Sequence, residues 1–239
     1  MTNAENENLA KYIEDFGPDF GTDLFNLQNS YFNIAVQWRF YKSLFGVNQQ
    51  RIDLLNKVSG IFFREVERTL FESVITGLCR ITDPIETGRG NGARKNLTFR
   101  VLEKHIENSD MSIFEEFMAR LDEGATFARD WRNRKLSHLD YDVARGGATL
   151  ETASRAKVQE LIDCLGELLQ WIHQEYLDMS LSLDVGLPPE DEMRVLELLY
   201  LSTQEEENFE RQLKERIERR DFSDMPKRSE VPDWLLGLD

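Results

Sequence analysis

The sequence predicts an all-α protein, a helical bundle followed by a charged helical C-terminal tail. Apolar residues recur at three- and four-residue steps in four long stretches, and no alternating stretch reads as a convincing strand. Glycine and proline are few, 14 and 6 in 239 residues, and they cluster mainly between the periodic stretches. The hydrophobic share of 41% is enough for a core, so wholesale disorder is not expected.

Residues 1–22 are polar, with Gly17-Pro18 and Gly21, and read as a loosely held lead-in to a bundle spanning 23–183. The first bundle helix is expected from Asp23 to Phe45, with Leu24, Leu27, Tyr31, Ile34, Trp38, Tyr41 and Phe45 as one stripe. A second, from about Arg51 to Thr82, carries Leu55, Val58, Phe62, Val66, Leu70, Val74, Leu78 and Ile81. Gly77 inside it points to a close helix crossing, and Asp83-Pro84 stops it. Arg80 and Asp83 at the stop read best as a structural ion pair.

Residues 85–96 form a basic loop with Gly88, Gly90 and Gly92. Asn96 is placed to cap a short helix running to about Ile106. Ser112 and Glu115 have capping-box spacing, and from there Phe114, Phe117, Leu121, Ala125, Ala128, Arg132 and Leu136 continue one face. After Gly146-Gly147, a long helix from about Thr152 to Met179 carries Val158, Leu161, Ile162, Leu165, Leu168, Leu169, Ile172 and Tyr176. His173 on it reads as a packed or surface histidine. Pro188-Pro189 marks a composition shift into the tail, 184–239, with short helices at Met193–Leu201 and Glu205–Arg220 and an apolar patch at Val231–Leu236.

Composition narrows the function. No apolar run approaches the ~20 residues of a membrane span, and Met1–Asn8 is polar and acidic, unlike a secretory signal. Cys79 and Cys164 lie in apolar helical pattern, as buried thiols of a reducing cytoplasm do. A cytoplasmic protein without membrane association is expected. The net charge of −15 argues against general nucleic-acid binding, but it is uneven. The tail holds 16 acids against 8 bases, whereas Glu86–Lys104 holds 5 bases against 2 acids and Arg129–His138 holds 4 against 1. Local cations on an acidic body suit a positive site.

That site centres on Phe127–His138, where Arg132 is followed directly by Asn133 and, six positions on, by His138. The plainest alternative is a basic helix end whose histidine caps the last carbonyls. Against it, Arg132 falls on the apolar face, where a charge needs a partner or a purpose. Six residues of ideal helix rotate by about 240°, so Arg132 and His138 diverge unless the helix end unwinds or two chains combine. Histidine can exchange a proton near neutral pH, and a fixed guanidinium can stabilise charge on a phosphoryl group. The three histidines and two cysteines form no metal-ligand spacing, and the loop glycines lack a phosphate-loop ending, so no metal and no cofactor are expected.

Five segments in order, WRFYKSLFG (38–46), RIDLLN (51–56), RITDP (80–84), NLT (96–98) and FARDWRNRKLSHLD (127–140), resemble the AbiU-type abortive-infection branch of the HEPN superfamily. In that superfamily, Arg, four to six residues, then His marks a ribonuclease site. The resemblance covers roughly residues 24–180. It implies a HEPN helical bundle, a two-fold homodimer whose motifs meet in one cleft, and metal-independent cleavage of single-stranded RNA to 2′,3′-cyclic phosphate ends. It also implies a role in phage defence or a toxin–antitoxin system, with an antitoxin as a further partner. By position, Arg132 and His138 are its catalytic pair and Asn133 the polar neighbour. Arg89, Arg94, Lys95, Arg129, Arg134 and Lys135 are the expected RNA-binding rim. A non-catalytic HEPN-type partner-binding module, acting through the tail, remains the alternative.

Overall fold

A computed structural model describes residues 3–87, 94–138, 140–183, 191–223 and 225. Among these the protein is all-α, as the periodicities predict. Its helices are α1 (Asn3–Phe16), α2 (Pro18–Phe45), α3 (Gln49–Thr82), α4 (Met111–Gly124), α5 (Thr126–Trp131), α6 (Tyr141–Ala144), α7 (Arg155–Leu177) and α8 (Asp191–Glu218). A two-residue ribbon, β1 (Glu86–Thr87) antiparallel to β2 (Arg94–Lys95), leads to a 3₁₀ helix at Phe99–His105, and a π-helical turn, Arg132–Leu136, extends α5. Among the described residues no helix is long and apolar enough to cross a membrane.

The chain forms two compact units, Met1–Lys42 with Arg64–Leu187, and Ser43–Phe63 with Pro188–Asp239. In the first, α7 buries its expected stripe from Val158 to Ile172 and packs on α4. The α2 residues Leu24, Leu27, Tyr31, Ile34 and Trp38 are buried as expected. At Gly77 a Cβ would stand 2.8 Å from Ile34 Cγ1, so the α2–α3 crossing does require glycine.

The lead-in is not loose. Residues 3–16 are helical, Phe20 is buried, and the Tyr12 hydroxyl donates to Gln28 Oε1 at 2.7 Å. His173 is buried, with Nδ1 2.8 Å from the Leu169 carbonyl and Nε2 3.1 Å from the Tyr12 hydroxyl. Two expected caps also differ. The short helix starts after Thr98, while Asn96 donates from its amide to the Pro84 carbonyl. α4 starts after Asp110, whose side chain makes no capping hydrogen bond, so Ser112 and Glu115 lie inside the helix.

In the second unit, Ser59 (φ −165°, ψ 83°) interrupts the helical geometry of α3. Val58 and Phe62, which flank the interruption and were expected in the core, are exposed. Leu55 is buried as expected, and with Phe63 it clusters with Leu196 of α8. α8 is one continuous helix where two were expected, and Glu207 on it pairs with Lys57. The Val231–Leu236 patch lies outside the described residues.

Replacing Leu196 with alanine should cost about 2–4 kcal/mol in urea denaturation, the range for emptying a buried leucine site. A loss below about 0.5 kcal/mol would show that the cluster does not stabilise the unit. Burial lowers the pKa of His173 below its ordinary 6.5. As pH falls through that value the unfolded chain protonates first, so stability drops between 6.5 and the lowered value. The stability gap between wild type and His173→Gln should therefore narrow from about pH 7.5 to about pH 5.5. A constant gap across that range would remove His173 from the pH dependence.

Candidate active site

Asp83 ends α3 at the proline stop, where its backbone N–H still reaches the Cys79 carbonyl at 2.8 Å. The chain then leaves the helix into the ribbon, and Asn96 N–H closes on the Ile85 carbonyl at 2.7 Å. Asp83 is only 8% exposed. Its Oδ2 accepts from Arg132 Nη1, and its Oδ1 lies 3.7 Å from Arg129 Nε. The expected Arg80–Asp83 pair is therefore a correction: the carboxylate takes its cations from the motif segment, and Arg80 is exposed. Cys79, one turn earlier, is fully buried, and burial pushes its thiol up to about 11, which leaves it an inert packing group.

The motif helix does not run on unchanged. At Ala125 it turns between α4 and α5, and from Arg132 it widens, with Ser137 N–H bonded to the Arg132 carbonyl five residues back at 2.8 Å. Such π-turns are rare and frequent at functional sites. Side chains brace this one. Trp131 Nε1 donates to the Glu151 carbonyl at 2.7 Å, and Asp130 Oδ2 accepts from Glu151 N–H at 2.7 Å. Arg134 lies 3.5 Å from Asp130 and 3.6 Å from Asp140, and reaches the Thr149 carbonyl at 3.3 Å.

Arg132 itself is half-buried, with 26% of its side chain exposed. Nε donates to Asn133 Oδ1 at 3.1 Å and Nη1 to Asp83, while Nη2 bonds to nothing among the described residues. His138 is exposed beyond the turn and has neither a hydrogen bond nor an ion pair among the described residues. No hydrogen bond joins Arg132 and His138 within one chain.

The rim cations separate into three groups. Arg129 is committed inward, donating to the Thr82 carbonyl at 2.7 Å and the Asp122 carbonyl at 3.1 Å, besides pairing with Asp122 at 3.2 Å. Arg134 is committed to the turn. Arg94 and Lys95 are exposed on β2, and Lys135 is exposed with Nζ 4.2 Å over the Trp131 ring. Arg89 lies outside the described residues. Among the described residues no group of three or more His, Cys, Asp and Glu side chains is placed to hold a metal ion.

Sequence reasoning missed a polar cleft of about 730 Å³ beside the motif. Ser30, Asn33, Ile34 and Gln37 of α2 form one wall, and α3 from Arg68 to Ile81 forms another. Lys135 and Leu136, inside the motif, line it too. The available signal was a second, polar face at helical spacing, Ser30-Asn33-Gln37 and Thr69-Ser73-Thr76, flanking each apolar stripe.

An all-α bundle presenting Arg132, Asn133 and His138 at the end of a helix defines a HEPN-type protein. The family model HEPN_AbiU2 (AbiU2) matches residues 26–195, and the chain belongs to this abortive-infection family. No curated protein and no solved structure matches it.

Asp83→Asn should destabilise the protein by about 2–3 kcal/mol in urea denaturation, below the cost of breaking a wholly buried pair because both guanidiniums remain partly solvated. Combined with Arg132→Ala, the loss should be smaller than the sum of the single losses. Strict additivity would mean that the pair is not energetically coupled.

Proposed function

We propose that the protein is an endoribonuclease of the HEPN type that cuts single-stranded RNA without a metal, in phage defence or a toxin–antitoxin system. The observation that carries this is the state of Arg132 and His138. Among the described residues, Asp83 and Asn133 hold the guanidinium while Nη2 is unengaged, and an exposed imidazole without a hydrogen bond follows just past the π-turn.

In the proposed reaction the RNA 2′-oxygen attacks the adjacent phosphorus and the bond from phosphorus to the 5′-oxygen breaks. The 2′-hydroxyl loses a proton, the leaving 5′-oxygen gains one, and the product ends in a 2′,3′-cyclic phosphate. Arg132 stabilises the charge on the phosphoryl oxygens. Two proton transfers call for two groups, and a two-fold dimer would supply two His138 side chains to one cleft. A dimer also answers the separation of Arg132 and His138 within one chain.

One observation favours the non-catalytic alternative. The second unit exposes Ile61 and Phe62, 80% and 60% accessible, on α3, and Leu198, Tyr200 and Leu201 on α8, as partner-binding surfaces do.

Purified protein is expected to cleave single-stranded RNA in EDTA and leave cyclic-phosphate ends. His138→Ala should lower the rate ~10²–10⁴-fold. Arg132→Ala should lower it comparably, with a smaller loss of RNA affinity. Equal inertness of wild type and His138→Ala on every RNA, with a partner still bound, would hand the protein to the alternative.

A further inference from the structure

We infer that two adjoining clefts of the first unit form a track for single-stranded RNA that leads to the motif, through residues that, Lys135 apart, lie outside the expected basic rim. The inference rests on the endoribonuclease reading above. The cleft of about 730 Å³ adjoins a second of about 300 Å³, and the two share Arg68, Glu72 and Lys135. Lys135 stands in the chain between Arg132 and His138, so the track begins at the motif.

Charge supports an RNA occupant. The two clefts gather Arg64, Arg68, Arg80, Lys135 and Arg155 against only Glu67 and Glu72, on a chain of net charge −15. Arg64 and Arg80 are exposed and make no ion pair among the described residues, while the exposed Arg68 pairs at the surface with Glu65. A concentration of cations on an acidic protein focuses a polyanion onto one surface.

The polar and aromatic groups divide the work between phosphate-flanked bases. In the larger cleft, the amides of Asn33 and Gln37 and the hydroxyls of Ser73 and Thr76 offer donors and acceptors to base edges. The smaller cleft is lined by Tyr41, Phe71 and Trp131, with Phe71 and Trp131 packed edge-to-face at 5.5 Å between centroids. Aromatic faces beside cations are what successive unpaired bases stack on. A duplex keeps its base faces stacked inside and would offer none of them to the aromatic side chains of the smaller cleft. The close α2–α3 crossing at Gly77 lines the larger cleft, so its walls are held at a fixed separation.

The full chain carrying His138→Ala keeps RNA intact and serves as the parent. Its binding to a labelled single-stranded oligoribonucleotide of about 12 nucleotides is read by fluorescence anisotropy over a salt series. Arg68→Glu with Arg80→Glu should weaken binding at least about 10-fold and flatten the log–log salt slope by about 1.4, the value for two lost single-strand phosphate contacts. The milder Arg68→Gln with Arg80→Gln should show the same trend with an unchanged thermal midpoint. Tyr41→Ala should weaken binding roughly tenfold with the salt slope intact, because stacking releases no counterions. Unchanged affinity and slope in both double variants would overturn the track. So would an equal loss from Arg194→Glu with Arg211→Glu on α8, which changes net charge alike. Intact RNA binding with lost affinity for a poly-glutamate peptide would reassign the clefts to an acidic protein partner. If the parent binds no RNA and wild type cuts none, the endoribonuclease reading fails. If wild type cuts RNA while the reversals change nothing, only the track fails.

Discussion

The carboxylate of Asp83 is the point on which the candidate site depends. A nearly buried anion is costly unless cations and donors surround it, and here both cations come from the segment that carries the motif. Arg132 makes a hydrogen-bonded pair with it. Arg129 approaches Oδ1 without hydrogen-bond geometry, leaving Oδ1 and Arg129 Nε buried without hydrogen bonds, so attraction between the charges is what remains there. Arg129 also donates to the Thr82 carbonyl, filling one acceptor that the end of α3 leaves open. One carboxylate thus ties the end of α3 to the motif turn and fixes the orientation of Arg132. Arg129 divides its charge between Asp83 and Asp122, whereas Arg132 pairs with Asp83 alone.

Geometry beyond Arg132 follows from the widened turn. An i→i+5 bond from Ser137 to the Arg132 carbonyl sets aside the regular helical spacing on which the divergence of Arg132 and His138 was argued. The turn is held from outside by Trp131, Asp130 and Arg134, each bonded to the 149–151 strip that precedes α7. Even so, His138 ends at the surface with no hydrogen bond or ion pair among the described residues. In the proposed reaction a held arginine and an exposed histidine would make half of an acid–base site, which a second copy would complete.

The fold was legible where burial is periodic and local. α2 and α7 each keep one apolar stripe turned to the core, and those stripes are buried much as their spacing indicates. On α3 the expected stripe holds at Leu55 and fails at Val58 and Phe62, which flank the non-helical Ser59, and neither Ser59 nor the following Gly60 carries a signal strong enough to place a break. Arg132 and His138 were legible as a motif, but Asp83 was not legible as their companion. Helical spacing offers it Arg80, three residues away, whereas its cations arrive from 46 and 49 residues downstream. Ion pairs of that separation are decided by tertiary packing, which periodicity does not encode.

Counting cations along the chain and asking where their donors go give different answers about the same acidic protein. The count favours Arg129 and Arg134, which lie in the richest basic run. Their donors, however, are taken up by Asp83, Asp122, Asp130, Asp140 and nearby carbonyls, so they serve mainly as struts. Arg80, one turn before Asp83, stands alone in sequence, yet it shares a cleft with Lys135 because α3 and the motif turn pack side by side. Cations bonded within the fold hold the reactive groups still, and those left at a cleft wall can meet a polyanion. Such a division allows a chain of net charge −15 to keep a positive site without becoming a general nucleic-acid binder.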